Sequence, residues 1–334
     1  MQDQIVKALM NPDTYGGEPG QIQCIQTHIS FIFLTKRFAY KVKKAVNLGF
    51  LNFTTLDKRR YYCERELELN RRLCHEMYLE VVPINRSDVF RIKGEGEIVE
   101  YAVKMVRMPH ETMMNKLLQA GRVDKKLLAK IAKIIAKFHS QAESNRTIAE
   151  FGSVATLKFN WRENFEQTRE FINSTISSHD YNLIQDSIDD FIRGNTELFK
   201  ERMENERIRD CHGDIHTGNI FVTDKIFIFD AIEFNNRFRY SDVASDAAFL
   251  AMDLDFKKRT DLSKFFINRY KEYSEDYQLT KLLPFYKCYR AYVRGKVTSF
   301  KLKDINISRV EKTQALEEAN AYFELSVDYA KSIS

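Results

Sequence analysis

Residues 208–230 of this sequence read IRDCHGDIHTGNIFVTDKIFIFD. A His-Gly-Asp triplet opens a polar loop, an asparagine follows five residues after that aspartate, and a second aspartate closes an apolar, strand-like segment. Asp214 has the chemistry to orient a hydroxyl nucleophile and accept its proton. Asn219 and Asp230 offer the hard oxygen ligands that Mg²⁺ prefers, and Mg²⁺ in turn bridges phosphates. The three residues therefore form one chemical constellation.

Upstream of this stretch, the pattern follows a β-β-α-β-β order. Residues 29–34 and 38–42 are rich in β-branched and aromatic residues and flank a short polar turn, which predicts a hairpin. Residues 56–73 have a helical pattern, and residues 81–84 and 98–106 again favour strands. This order predicts a small lobe that contains a sheet.

Residues beyond 108 are largely helical in pattern. Between Leu127 and Phe138, apolar residues recur at three- and four-residue spacing, which is typical of a helix with one buried face. The strand-and-loop island at 208–230 interrupts this helical region. We therefore expect a short hinge and then a larger helical lobe.

Composition excludes several classes of protein. Only 12 Gly and 5 Pro occur in 334 residues, which argues against linker-rich or many-turned all-β folds. The apolar runs are far shorter than the ~20 residues of a membrane span, and the N-terminus lacks the pattern of a secretory signal, so we expect a cytoplasmic protein without a membrane segment. The net charge of +5 has no basic block, so no specific nucleic-acid partner is expected. The five cysteines form no CxxC pair and are expected to be reduced.

The motif His-Gly-Asp-x-x-x-x-Asn with its following Asp resembles the aminoglycoside phosphotransferase and choline-kinase-like branch of the protein-kinase-like superfamily. The resemblance implies an α+β, two-lobed protein-kinase-like fold with an antiparallel sheet and a helix in the small lobe. The implied parts are a nucleotide-binding lobe at 1–107, a hinge at 108–116, and a helical catalytic and acceptor-binding lobe at 117–334.

The resemblance also implies a role for each residue of the constellation. Asp214 would be the catalytic base, Asn219 and Asp230 would bind Mg²⁺, and His212 would shape the catalytic loop. The implied reaction transfers the γ-phosphate of ATP to a hydroxyl of a small-molecule acceptor.

The small lobe can be compared in the same way. Phe38-Ala39-Tyr40-Lys41 resembles the Val-Ala-Ile-Lys strand of kinases, which implies that Ala39 faces adenine and that Lys41 reaches the α- and β-phosphates. Glu66 lies where a helix-borne acid would pair with that lysine. Lys43 and Glu68 are rival candidates, because strand alternation also permits Lys43 on the same face.

Two further positions are expected to contact the nucleotide. The turn between the first strands has no Gly-rich loop, which favours the small-molecule branch. Ser30 or Thr27 there is a candidate donor to a phosphate oxygen. The stretch around Met108 would be the hinge whose backbone contacts adenine.

Five residues are candidates for acceptor binding or for bracing the loop. Glu233 is a candidate for facing the acceptor. Arg290 and Arg294 lie four residues apart, so they share one face of a helix. They would either hold an anionic acceptor group, which would disfavour a polycationic aminoglycoside, or form a solvated face. Asp242 and Asp246 stand where the family places acids that brace the catalytic loop.

Nearly the whole chain, from about residue 20 to 305, resembles a bacterial and archaeal group of aminoglycoside-phosphotransferase-like domains. The matching segments include Tyr40-Lys-Val-Lys-Lys, Leu69-Asn-Arg-Arg-Leu and Asp230-Ala-Ile-Glu-Phe-Asn. Some members of the group carry a second, P-loop ATPase domain, but G-x-x-x-x-G-K-[ST] does not occur in this sequence.

The expected function is an ATP- and Mg²⁺-dependent phosphotransferase. One alternative is a nucleotide-binding pseudokinase or regulatory module without turnover. Another is a metal-dependent hydrolase that uses His212, Asp214 and His216, because alternating His and Asp can chelate zinc. The sequence leaves open the acceptor, the choice between ATP and GTP, and the oligomeric state.

Overall fold

The structure, a computed structural model, describes residues 2–17, 20–304 and 307–333. It forms two compact units, Met1–Ala120 with Gly218–Arg239, and Gly121–Thr217 with Tyr240–Ser334. The first unit thus contains Asn219 and Asp230 together with the small sheet. The predicted limits of the lobes and hinge at 107, 108–116 and 117 stay predictions, and the outermost residues, 1 and 334, lie outside the described residues.

The first unit is built on an antiparallel sheet. Its strands are β1 (Gln23–Gln26), β2 (Ser30–Leu34), β3 (Phe38–Lys43), β4 (Tyr78–Arg86), β5 (Phe90–Ile92) and β6 (Glu97–Val106). Within the described residues they form one six-stranded sheet in the order β1-β2-β3-β6-β4-β5. Its helices are α1 (Gln2–Leu9), α2 (Leu56–Cys74) and α3 (Met114–Gln119). The later segment adds the hairpin β8 (Ile220–Val222) and β9 (Ile226–Ile228) and the helix α9 (Asn236–Arg239).

The two faces of β3 pack against different clusters, because successive strand residues point to opposite sides. Tyr40 and Val42 enter an apolar cluster that also holds Ile5 and Leu9 of α1. Ala39 faces the other cluster, which includes Cys63 of α2. The alternation therefore directs residues 39, 41 and 43 toward α2.

The second unit is mostly helical. Its helices are α4 (Lys125–Gln141), α5 (Arg146–Ala149), α6 (Val154–Thr168), α7 (Ser178–Gly194), α8 (Thr196–Glu204), α10 (Val243–Phe256), α11 (Thr260–Ser274), α12 (Leu279–Phe300) and α13 (Arg309–Ile333). Two short strands, β7 (Ile208–Asp210) and β10 (Tyr240–Asp242), pair antiparallel and frame the start of the polar loop. No described helix is both long enough and apolar enough to cross a membrane.

The α+β class is confirmed, with a small sheet unit and a mostly helical unit. The hairpin predicted at 29–42 forms as β2 and β3, and the predicted helix at 56–73 forms as α2, which Thr55 caps by accepting a hydrogen bond from the backbone N–H of Lys58. The helix predicted around 127–138 forms as α4, capped by Asp124.

Candidate active site

A buried charge cluster joins β3, α2 and the segment after β9 in the first unit. Lys41 Nζ lies 2.8 Å from Glu66 Oε1 and 2.6 Å from Asp230 Oδ1. The Glu66 side chain is fully buried, whereas the Asp230 side chain is 42% exposed. The pairing of Lys41 with Glu66 that the sequence indicates is therefore present, and Asp230 forms the open end of the cluster.

A second lysine binds the other oxygen of the same glutamate. Lys43 Nζ lies 2.7 Å from Glu66 Oε2 and also pairs with Glu233 Oε1. The Lys43 side chain has no exposed surface. Glu68, the rival acid on α2, is exposed and pairs with Arg65 instead. The geometry thus selects Glu66 over Glu68 as the acid that pairs with the lysines. Lys41 and Lys43 each bind one of its carboxylate oxygens.

The cluster carries an excess of negative charge. Three carboxylates face two ammonium groups, which leaves one net negative charge. Burial raises the pKa of Glu66, but Lys41 and Lys43 outweigh burial and lower that pKa to about 2. Burial favours a lower pKa for Lys41, but the carboxylates of Asp230 and Glu66 outweigh burial and hold that pKa well above its usual value. Burial raises the pKa of Glu233, although Lys43 acts in the opposite direction.

The oxygen donors and the charge excess fit a hard divalent cation such as Mg²⁺. Asp230 has a φ of +65°, in the left-handed region, so its backbone conformation is strained for a residue with a side chain. The next residue, Ala231, donates its N–H to Asn70 Oδ1 at 2.9 Å. Phe229 donates its N–H to the carbonyl of Asn219 at 3.0 Å, which links the two predicted metal ligands through the backbone.

Asn70 is a residue that the sequence reasoning missed. Its Oδ1 accepts from Ala231 and its Nδ2 donates to the carbonyl of Glu66 at 2.8 Å. One amide thereby fixes the position of the Asp230 segment against the helix that carries Glu66. The motif Leu69-Asn-Arg-Arg-Leu contained this residue, but its partner lies 161 positions away in the chain.

The other residues predicted to contact the nucleotide lie either in an apolar cluster or buried within the sheet. Ala39 and Met108 belong to one apolar cluster, which also includes Met105 and Phe229. Ser30 is fully buried in β2, opposite Lys43, and its hydroxyl has no hydrogen-bond partner among the described residues. Its role as a phosphate donor stays a prediction.

The His-Gly-Asp loop lies in the second unit and is held mainly through its backbone. The N–H groups of His212 and Gly213 donate to the two carboxylate oxygens of Asp246, at 2.7 and 2.9 Å. Gly213 has a φ of +88°, which only glycine adopts without strain. Arg290 Nη1 donates to the Gly213 carbonyl at 2.9 Å. The predicted bracing role of Asp246 is confirmed, and Arg290 also serves the loop.

The remaining acids of this region also have partners. Asp253 Oδ2 accepts from the N–H of Thr217 at 2.8 Å and from its hydroxyl at 2.6 Å. Asp242 caps α10 and receives the guanidinium of Arg202 at 2.6 Å. Asp246 therefore holds the start of the loop and Asp253 holds its end, whereas Asp242, which was also predicted to brace the loop, instead binds Arg202 and the N-terminus of α10.

Asp214 lies among basic side chains. His216 Nε2 lies 3.6 Å from Asp214 Oδ2. Burial raises the pKa of Asp214, but His216, Arg294 and His212 more than compensate and lower it to about 2. Asp214 is therefore a carboxylate throughout the physiological pH range and acts as a hydrogen-bond acceptor.

The hydrolase alternative receives no support from the geometry. Among the described residues, one group of three metal-ligating side chains has its ligand atoms within 4.8 Å of one another, namely His139, Cys211 and Asp246. This group is buried and its Asp246 is engaged by the loop, and it includes none of His212, Asp214 and His216.

Comparisons with known proteins show the family and the fold of the chain. The model of the Phosphotransferase enzyme family matches residues 63–283, more than half of the chain. An uncharacterized protein of Mycobacterium tuberculosis strain H37Rv is 34% identical over 273 residues, which are 81% of this chain and 53% of that protein. The chain thus spans about half the length of the curated relatives that it matches.

Solved structures with the same fold have low sequence identity. A choline/ethanolamine kinase family protein from Mesorhizobium loti superposes with a TM-score of 0.54 at 10% identity, covering 99% of each chain. An amicoumacin kinase, in complex with AMP-PNP, Ca²⁺ and Ami, gives a TM-score of 0.54 at 12% identity, covering 97% of this chain and 93% of that chain. At such identity these likenesses establish a kinase-like fold.

Proposed function

The chain belongs to the phosphotransferase enzyme family, and from this premise we propose that it transfers the γ-phosphoryl group of ATP, with Mg²⁺, to a hydroxyl of a small molecule. The observation that carries the proposal is the position of Lys41 Nζ between Glu66 and Asp230, at 2.8 and 2.6 Å. A lysine that is oriented by a buried acid and ends beside an open carboxylate suits the recognition of nucleotide phosphates.

The first unit would bind the nucleotide. Lys41 would exchange its contact with Asp230 for an oxygen of the α- or β-phosphate while Glu66 keeps the ammonium group in place. Asn219 and Asp230 would hold Mg²⁺, which supplies neutralisation of the charge on the phosphates. The apolar cluster with Ala39 and Met108 would contact adenine.

Asp214 would orient the acceptor hydroxyl for in-line attack. The hydroxyl oxygen forms a bond to the γ-phosphorus, the bond from that phosphorus to the β–γ bridging oxygen breaks, and ADP leaves with the bonding electrons. The hydroxyl proton passes to Asp214. Because a carboxylate with a pKa of about 2 is a weak base, its main contribution is orientation, and the proton moves late, which suits a loose transition state.

Thermal melting tests the nucleotide and metal half of the proposal. A ligand that binds only the folded state adds about 2.7 kcal/mol to the free energy of unfolding at a concentration of 100 Kd. We expect the wild-type Tm to rise by several degrees with Mg²⁺-ATP and by less with ATP alone. Asp230→Asn should lose the Mg²⁺-dependent part of the rise.

Glu68→Gln is the matched control, because it also removes one carboxylate from the first unit, but from an exposed position on α2 that pairs with Arg65 and not with Lys41 or Lys43. It should keep the full rise in Tm. An unchanged wild-type Tm at millimolar Mg²⁺-ATP would contradict the proposed function. An equal Mg²⁺-dependent rise in Asp230→Asn would contradict the assigned metal ligand.

A further inference from the structure

The acids on α10 are all occupied by groups of the second unit. Asp246 accepts from the His-Gly-Asp loop, and Asp253 accepts from Thr217 and pairs with Lys257. Asp255 lies 2.7 Å from Lys287 Nζ and 2.5 Å from the Tyr329 hydroxyl. A polycationic acceptor needs carboxylates that are not already neutralised. The helix that braces the Asp214 loop offers none.

Arg294 is placed differently from the other basic residues of this region. It lies one helical turn after Arg290, whose Nη1 contacts the residue next to Asp214, so this face of α12 passes beside the loop. The Arg294 guanidinium lies 5.4 Å from the ring centroid of Tyr322 on α13. Within the described residues it forms no salt bridge, whereas Arg290 is committed to Gly213 and Ser245.

The surroundings of the Asp214 carboxylate are therefore basic and aromatic rather than acidic. His216 lies 3.6 Å from that carboxylate, and its ring centroid is 5.5 Å from that of Phe249. Arg294 also contributes to the positive potential on Asp214. The Arg294 guanidinium is half-buried against Tyr322 and lies in the field of Asp214 and Asp253, but it forms no salt bridge within the described part of the chain. Its planar set of N–H donors therefore retains the capacity to bind an oxyanion.

We infer that the acceptor carries an oxyanion, a carboxylate or a phosphate, in addition to the hydroxyl that is phosphorylated, and that Arg294 binds this oxyanion. The inference rests on the proposed function and narrows it to one class of acceptor. Arg294 would act on binding of the acceptor and not on the nucleotide.

The charge class of the acceptor can be tested without its identity. A metabolite extract is separated at pH 7 into anionic, neutral and cationic fractions on ion-exchange resins, and each fraction is incubated with γ-labelled ATP, Mg²⁺ and the protein. Label should enter a product only with the anionic fraction. Phosphatase treatment of that fraction distinguishes the two oxyanions, because it abolishes acceptor activity for a phosphate and leaves it for a carboxylate.

Variants of Arg294 test the assigned residue. Arg294→Gln should raise the KM for the anionic fraction roughly tenfold or more, since a charge-assisted hydrogen bond is lost, with the KM for ATP unchanged. Arg294→Lys keeps the charge and should restore part of the affinity. Lys281→Gln, which removes an exposed charge from the same helix, should match the wild type.

Each outcome has a distinct meaning. Transfer with the neutral or cationic fraction, or an unchanged acceptor KM in a folded Arg294→Gln, would overturn the inference and leave the proposed function standing. Absence of transfer with every fraction would overturn the proposed function and the inference together. Melting curves of the variants show whether each one is folded.

Discussion

Replacement of Lys43 by methionine should destabilise the protein strongly, because it strips a buried ion cluster of one cation. Lys43 is fully buried, as is Glu66, and the Glu233 side chain is 4% exposed. At an effective dielectric constant of about 20, charges at the 2.7 Å separation of Lys43 and Glu66 attract by roughly 6 kcal/mol. The cost of burying the ions offsets part of that attraction, and loss of one partner of a buried pair typically costs about 3–5 kcal/mol.

The assay is urea unfolding at pH 7, with the free energy of unfolding taken from the midpoint and the slope. Lys43→Met should lose about 3–5 kcal/mol. The double variant Lys43→Met/Glu233→Gln should recover at least about 1 kcal/mol of this loss, because the uncompensated Glu233 charge is gone. Lys36→Met, at an exposed turn lysine, should stay within about 0.5 kcal/mol of the wild type.

Two results would refute this reasoning. A loss below about 1 kcal/mol in Lys43→Met would mean that the cluster contributes no more than a surface ion pair. A double variant as unstable as Lys43→Met would mean that the loss comes from packing of the lysine stem rather than from the unpaired Glu233 carboxylate.

Two further predictions concern the loop of the second unit. Burial favours a higher pKa for Asp246, but His139 and Arg290 outweigh burial and lower that pKa to about 2. The ionised Asp246 therefore contributes its full stabilisation above the unfolded-state pKa near 3.8, and this stabilisation is lost as the pH falls through 2. Urea titrations should therefore show that wild type loses about 2 kcal/mol more than Asp246→Asn between pH 5 and 2, and equal losses would contradict the assignment. Gly213→Ala should cost about 1–2 kcal/mol in the same assay, because alanine is strained at a φ of +88°. Gly194→Ala is the control, because a Cβ at this position at the end of α7 would meet open space, so the free energy of unfolding should stay the same or rise. Equal changes in the free energy of unfolding for the two substitutions would refute the role assigned to the positive φ of Gly213.

The elements of the small sheet that the sequence predicts are those with local signals. β2 and β3 have a dense β-branched and aromatic pattern and a polar turn between them. The edge strand β1 has four exposed residues and no alternation, and β5 has only three residues, so neither has a pattern of its own. Both form because a neighbouring strand offers hydrogen-bond partners.

The candidate site likewise has features with a local sequence signal and features that depend on packing. The spacing from Asp214 to Asn219 and Asp230 indicates the chemistry, since all three lie in one short stretch. Three features of the site depend on burial and on contacts between distant parts of the chain. These are the selection of Glu66 as the partner acid, its binding by both Lys41 and Lys43, and the hydrogen bonds of Asn70 that hold the Asp230 segment. Local periodicity allows either lysine to reach the acid, and only packing decides that both of them do.

Transfer of label from γ-labelled ATP to a product tests the central claim most directly. Wild type and Asp214→Asn are incubated with Mg²⁺ and a metabolite extract, after melting curves show that both are folded. The wild type should form a labelled product, and Asp214→Asn should form it roughly 10²–10⁴-fold more slowly, because the group that orients the hydroxyl and accepts its proton is lost. Equal rates in the two proteins, or no labelled product from a wild type that binds Mg²⁺-ATP, would contradict the account.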